Sequence, residues 1–269
     1  MDTSDNIEET KDLDSDFSQT MVDENQDNLL YEVEENKEKP SSKNNYKVLA
    51  RKYRPQNFED LMGQEIMVQT LKNAFKTNRI AHAYILTGVR GIGKTTTARL
   101  LARSLNYETE IINEPNIDML EFGKHCREIM ESRHIDVIEM DAASRTGIAD
   151  IREIIDSVNY SPSSARYKIY IIDEVHMLSK AAFNGLLKTL EEPPPHVKFI
   201  FATTEVQKIP LTILSRCQRF DLKRFDHDMI KSLINKVCEK EKVSIEDPII
   251  DLIAKASGGS ARDSLSLLD

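Results

Sequence analysis

Four kinds of feature are scarce in this sequence. Cysteine occurs only three times, as Cys126, Cys217 and Cys238, with no paired spacing. That argues against a disulfide framework and fits a reducing compartment. No stretch of 18 apolar residues exists, so no membrane span is expected. The N-terminus is acidic and has no apolar core segment, so no secretory signal is evident. Basic clusters and aromatic platforms, the usual footprint of a nucleic-acid binder, are missing too. At 40% hydrophobic and 30% charged, the composition is that of a soluble globular protein long enough for one or two domains.

The net charge of −9 is unevenly spread. Residues 1–45 hold fourteen Asp or Glu and four Lys, a net of −10, which leaves 32 basic and 31 acidic residues for the rest. The first 45 residues also lack periodic apolar positions. Such a segment buries too little surface to offset its ordering entropy, and it is expected to be a disordered acidic tail. The near-neutral remainder leaves a nucleic-acid partner open.

From Tyr46 onward five short apolar runs appear, at 83–87, 136–140, 168–172, 198–203 and 219–222. Helical patterns separate them: one over 96–104, one near Ala149, and one from Lys180 to Glu192 that stops at Pro193-Pro194-Pro195. Strands alternating with helices predict βαβ units and a parallel sheet, and fully apolar strands suit a sheet covered on both faces. After Arg224 only helical patterns remain, at 226–238, at 247–256 and from Ser260 to the last residue, Asp269. The expected architecture is therefore α/β: a five-stranded parallel sheet with flanking helices over 46–222, and a small all-helical domain over 223–269. Because the last pattern is cut short, the chain reads as a piece of a longer protein.

The strongest chemical signal is Gly88-Val89-Arg90-Gly91-Ile92-Gly93-Lys94-Thr95, which matches G-x-x-x-x-G-K-S/T. Glycines let the backbone curl so that several N–H groups face one phosphate chain, and the helix that follows adds its positive end. Gly88, Gly91, Ile92, Gly93 and Thr96 would form the cradle. Lys94 would reach the β- and γ-phosphates, and Thr95 would offer its hydroxyl to Mg²⁺. The run Ile169-Tyr170-Ile171-Ile172-Asp173-Glu174 ends a strand in two carboxylates. Asp173 would hold Mg²⁺ at the ligand-binding edge of the sheet, and Glu174 would polarise an attacking water. ATP and Mg²⁺ are the expected cofactors.

Further motifs carry a resemblance. They are Leu49-Ala50-Arg51-Lys52-Tyr53-Arg54-Pro55 with Gly63-Gln64; Asp141-Ala142-Ala143-Ser144; Asp173-Glu174-Val175-His176-Met177-Leu178; Leu186-Leu187-Lys188-Thr189-Leu190-Glu191-Glu192-Pro193-Pro194; Ala202-Thr203-Thr204; and Leu214-Ser215-Arg216-Cys217. Together they resemble the AAA+ clamp-loader ATPases of the bacterial DNA polymerase III gamma/tau type, from about Tyr46 to Asp269. The resemblance implies a helical lid and a motor that uses ATP to load a ring-shaped sliding clamp onto primed DNA. It also implies a hetero-pentamer of loader subunits in the bacterial cytoplasm. It makes Thr204 the sensor-1 residue facing the γ-phosphate, and Arg216 a finger reaching a neighbour's nucleotide in trans. Arg262 becomes the sensor-2 arginine of the lid, and Arg51 and Pro55 the flank of adenine and ribose. An always-charged, forked guanidinium suits each arginine role. In resembling loaders the region after Ser144 lines the DNA, so Arg145, Thr146 and Arg152 become candidates for a backbone phosphate at a helix start. Two other readings stay open: another AAA+ DNA motor, such as a branch-migration helicase, and a non-hydrolysing ATP-binding scaffold.

One departure concerns metal. The resembling family usually carries a four-cysteine zinc module between the phosphate-loop helix and the Asp141-Ala142-Ala143-Ser144 segment. Here Cys126 alone remains, while Tyr107, Leu120 and Gly123 stand roughly where the others would be. His125 beside Cys126 does not complete a tetrahedral set, and a zinc-free insertion packed by apolar residues is expected.

Overall fold

Strand β1 (Ala83–Thr87) is buried at every position, and so is β4 (Val197–Thr203). They lie side by side at the middle of one sheet completed by β2 (Val137–Asp141), β3 (Lys168–Asp173) and β5 (Gln218–Asp221). The order is β2-β3-β4-β1-β5, and all four pairings are parallel. The computed structural model describes residues 46–145 and 148–269. The expectation for the acidic tail lies outside them, as does the assignment of Thr146.

The period of two along the strands divides the interior into two cores. Tyr84, Leu86, Ile169, Ile171, Ile200 and Ala202 face one way. They pack on Leu71 of α2 (Glu65–Lys76), on Leu100, Leu101 and Leu105 of α3 (Lys94–Leu105), and on Cys126 and Ile129 of α4 (Cys126–Met130). Ile85, Tyr170, Ile172, Phe199 and Phe201 face the other way. There they meet Ile151 and Ile154 of α5 (Ile148–Val158) and Phe183 and Leu186 of α6 (Lys180–Glu191). Both faces are thus covered, which is why the strands are apolar throughout. Parallel strands joined by returning helices put every strand's carboxyl end on the same edge.

Two short helices flank this body, α1 (Leu49–Lys52) ahead of it and α7 (Leu211–Leu214) between β4 and β5. Beyond β5, α8 (His227–Glu241), α9 (Asp247–Ala256) and α10 (Ala261–Leu268) surround a separate small core of Ile230, Ile234, Cys238, Ile250 and Ala254. Asp226 and Ser260 cap α8 and α10 with their side-chain oxygens, each relieving an unpaired helix N–H. Among the described residues no helix is long and apolar enough to cross a membrane.

One core residue is costly. Lys198, near the start of β4, is 3% exposed, and among the described residues its charge meets the ring of Tyr167 at 5.0 Å and no carboxylate. Burial pushes its pKa down from 10.5 to about 8. Between those two values the unfolded chain holds more protons, so stability rises with pH across that window, and the cost is complete below about pH 8. A shift of this size corresponds to about 3 kcal/mol, set against roughly 1 kcal/mol from the ring contact. We expect Lys198→Met to melt higher than the parent at pH 7 and to lose the rise between about pH 8 and 10. Urea unfolding of both proteins across that range checks this. A parent stability that stays flat there would show that the lysine carries no such burden.

Candidate nucleotide site

The turn between β1 and α3 depends on backbone that only glycine adopts easily. Gly91 and Gly93 have φ of +79° and +98°, in the region where a side chain is strained. A Cβ on Gly93 would meet nothing within 4 Å, so the space above the helix start is open. The loop curls around the Lys94 ammonium, which donates to the carbonyls of Gly88 (3.0 Å) and Val89 (3.1 Å). Burial holds Lys94 below its ordinary range, against the pull of Glu174 and Asp173. Ile92 and Thr96 are buried beneath the loop.

The Thr95 hydroxyl donates to the carboxylate of Asp173, the last residue of β3. The other Asp173 oxygen accepts the Glu174 N–H (2.9 Å). Glu174 takes a left-handed backbone, φ 47° and ψ 43°, uncommon for a residue with a side chain. Its Oε2 accepts from Thr204, both from the backbone N–H (3.2 Å) and from the hydroxyl (2.9 Å). Thr204 directly follows β4. The loop, Lys94, Thr95, Asp173, Glu174 and Thr204 therefore converge on the carboxyl edge of three adjacent strands. A hydroxyl beside a carboxylate is a hard oxygen donor set that fits Mg²⁺.

A second wall comes from the helical domain. The Arg262 N–H donates to the Gly91 carbonyl (3.2 Å), so α10 begins on the phosphate loop itself. The opposite flank, residues 46–55, is tied to the same domain. The Leu49 N–H reaches Asp269 (3.3 Å) and the Tyr53 hydroxyl reaches Glu241 (2.6 Å). Arg51 is exposed and Pro55 partly buried there. Between them lies Arg54, whose guanidinium donates no hydrogen bond among the described residues. Burial first, then Arg99, holds it below its ordinary range; Arg51 and Arg262 add to this, and only Glu139 opposes. Glu139 is already engaged by Arg99 at 2.7 and 2.8 Å. Four guanidinium groups are thus balanced there by the Glu139 carboxylate. The sequence motif marks Arg51 and Pro55 but not Arg54, whose surroundings arise only when Arg99 and Arg262 are brought beside it.

Other candidates lie elsewhere. Arg216 precedes β5 and is therefore at the amino edge, across the sheet from its own phosphate loop. Its guanidinium donates to the Thr212 carbonyl (2.6 Å) and to Glu191 (2.6 Å). Arg145 and Arg152 are exposed, one just after β2 and one on α5. In the insertion, Arg103 donates to Cys126 Sγ (2.8 Å), the Tyr107 hydroxyl donates to the Glu121 carbonyl (3.1 Å), and Leu120 is exposed. Tyr107, Ile117, Met119 and Cys126 all pack into the main core. Among the described residues no three His, Cys, Asp or Glu side chains group so as to hold a metal ion.

A phosphate loop at the edge of a β2-β3-β4-β1-β5 sheet, under a small helical lid, defines the AAA+ class of ATPase folds. Solved structures of the RuvB Holliday junction branch migration motor from Thermotoga maritima share the fold at TM-score 0.57 and 21% identity, over 80% of this chain and 63% of theirs. A family model described as DNA polymerase III, delta subunit, matches residues 63–226, and one described as the ATPase lid domain of the DNA polymerase III clamp loader subunit matches 229–269. The tau subunit of DNA polymerase III from Escherichia coli is 51% identical over 224 residues, and its Bacillus subtilis counterpart 50%. The gamma subunit from Buchnera aphidicola of Acyrthosiphon pisum is 48% identical over 225 residues, which is 84% of this chain and 61% of that one. The chain belongs to the family of DNA polymerase III clamp-loader subunits. It covers 34% of the Escherichia coli relative and 39% of the Bacillus subtilis one, with 83% of its own length aligned in each case.

The contact between lid and loop is testable at Gly91. An alanine methyl there would sit 1.9 Å from Ser260 Oγ, on a backbone at φ +79°. We expect Gly91→Ala to lower unfolding free energy by about 1–3 kcal/mol and to weaken nucleotide binding, because α10 must withdraw from the loop. An unchanged denaturation midpoint would show that the lid does not seat there.

Proposed function

We propose that this chain is the ATP-hydrolysing motor of a DNA polymerase III clamp loader, which places a sliding clamp on primed DNA. The observation that carries the reading is the meeting of Lys94, Thr95, Asp173, Glu174 and Thr204 at one sheet edge beneath Arg262. Residues 46–222 would form the ATPase domain and 223–269 its lid, with the phosphates against the 88–96 loop. Lys94 would leave its two carbonyls for the β- and γ-phosphate oxygens, where its charge gains more. Thr95 and Asp173 would hold Mg²⁺, which supplies charge neutralisation on the phosphates when bound. Glu174 has one oxygen committed to Thr204 and the other without a hydrogen-bond partner among the described residues, which suits orienting a water. Thr204 would report the γ-phosphate to Glu174 through that shared bond. Arg51, Arg54, Pro55 and Arg262 would line the remaining sides.

Arg216, exposed at the opposite edge, supports action on a neighbour's nucleotide within a ring of loader subunits, as a finger in trans. Arg145, Thr146 and Arg152 would meet the DNA backbone, with sequence playing no part. A motor of this kind would work in the bacterial cytoplasm, where the chromosome is. The likeness to RuvB concerns the fold alone and does not favour a branch-migration activity.

Two experiments test the reading on the full-length subunit with its partners. Lys94→Ala should abolish ATP binding and clamp-stimulated turnover while the fold survives; turnover at the parental rate would sink the assignment. Arg216→Ala should leave ATP binding to the isolated subunit unchanged but reduce turnover of the assembled complex by about 10³–10⁵-fold. A ring mixing Glu174→Gln and Arg216→Ala chains should recover part of the activity each lacks alone. Co-assembly without recovery would mean that the arginine acts within its own chain.

A further inference from the structure

His176 lies two residues beyond the Glu174 carboxylate's own backbone, in the single turn Val175–Met177 that follows β3. Its side chain is only 6% exposed, and among the described residues the partners of its two nitrogens are Thr203, Glu174 and Glu205. Nδ1 lies 3.0 Å from the Thr203 hydroxyl and 3.3 Å from Glu174 Oε2. Nε2 lies 3.3 Å from Glu205 Oε1. Glu205 in turn pairs with the Lys208 ammonium at 2.9 Å on the surface. The Thr203 hydroxyl oxygen accepts the Glu205 N–H (3.0 Å), and a proton on Nδ1 points between that oxygen and Glu174 Oε2. The ring is thus wedged between one carboxylate of the nucleotide site and one at the surface.

Among the described residues the polar contacts of the Glu174 carboxylate fall on Oε2: two from Thr204 and one from His176. Its left-handed backbone is a conformation that persists only when surrounding structure enforces it. Thr204 holds the carboxylate from the β4 side, and His176 closes on the same oxygen from the β3 side. Two contacts from different strands fix a direction that one alone leaves free to rotate.

Resting on the ATPase reading above, we propose that His176 is a positioning residue for Glu174. Nδ1 aims the carboxylate so that Oε1 stays turned to the reacting water, and the Nε2 contact with Glu205 and Lys208 anchors the ring. Binding of ATP does not require this geometry; the chemical step does.

The experiment compares four substitutions in the full-length subunit, assembled with its partner subunits, clamp and primed DNA. His176→Leu should lower kcat about 10–100-fold, the scale seen when an orienting partner is removed, with KM and the Kd for a fluorescent ATP analogue within about twofold of the parent. Asparagine carries an amide near the place of Nδ1, and glutamine near that of Nε2. His176→Asn should therefore recover most of kcat and His176→Gln little of it. Glu205→Gln, at a surface position that does not threaten folding, should lower kcat several-fold at constant KM. Parental kcat in His176→Leu, loss of ATP affinity in step with kcat, equal loss in the leucine, asparagine and glutamine variants, or an unaffected Glu205→Gln would each overturn the proposal. Lys94→Ala run alongside separates the two levels. If it still turns over ATP, the nucleotide reading fails; if it is dead while His176→Leu is fully active, His176 alone has been misassigned.

Discussion

The candidate residues Lys94, Thr95, Asp173, Glu174 and Thr204 are placed by the parallel register of three strands. Thr87 pairs with Thr203 and Ile172 with Phe201, so β1, β4 and β3 end within about a residue of one another. The phosphate loop follows the first, Thr204 the second and Glu174 the third. A slip of one residue in either pairing would turn the side chains to the opposite face, separating Glu174 from Thr204 and Thr95 from Asp173. The register is held by burial on both sides: Phe199 and Phe201 fill one core while Ile200 and Ala202 fill the other. At roughly 25 cal/mol per Å² of apolar surface removed from water, such strands resist sliding far more than hydrogen bonds alone would. The polar site is thus positioned by an apolar constraint behind it.

Much of this was legible in the chain because the signals are local. The apolar runs at 83–87 and 168–172 and the helical pattern from Lys180 agree with the strands and helix to within a residue or so. The phosphate loop was readable because its glycines announce backbone geometry, and Asp173-Glu174 because a strand directly precedes it. The missed elements lack such punctuation. Helix α2 buries only Met67 and Leu71, and its first neighbour Gln64 does not cap it. That side chain spans instead to the backbone of Lys223, at 3.1 Å in both directions, a bond no local pattern encodes. Arg54 is of the same kind: its significance arises because Arg99 and Arg262, distant in sequence, crowd it.

Charge shows a similar gap between total and local values. Beyond residue 45 the chain is nearly neutral, which says nothing about where an anion would settle. The folded arrangement concentrates Arg51, Arg54, Arg99 and Arg262 beside the loop and spends one carboxylate on them. Elsewhere acidic groups are used inward: Asp136 accepts the backbone N–H groups of Ser163, Ser164 and Ala165 at 2.7, 2.8 and 2.9 Å, and these bonds hold it below the usual carboxylate range against the opposing effect of burial.

The ties between residues 46–55 and the helical domain have a mechanical consequence. Tyr46 and Leu49 are fastened to Asp269, and Lys52 and Tyr53 to Glu241, so the first and last stretches of the described chain form a single jaw. The other jaw is the sheet with its loop. Rotation of the helices cannot widen one side of the cleft without carrying the other side along, unless all four fastenings break. Any shift of α8 or α10 is therefore passed to residues 46–53 through these bonds, and to the 88–96 loop through the Arg262–Gly91 bond.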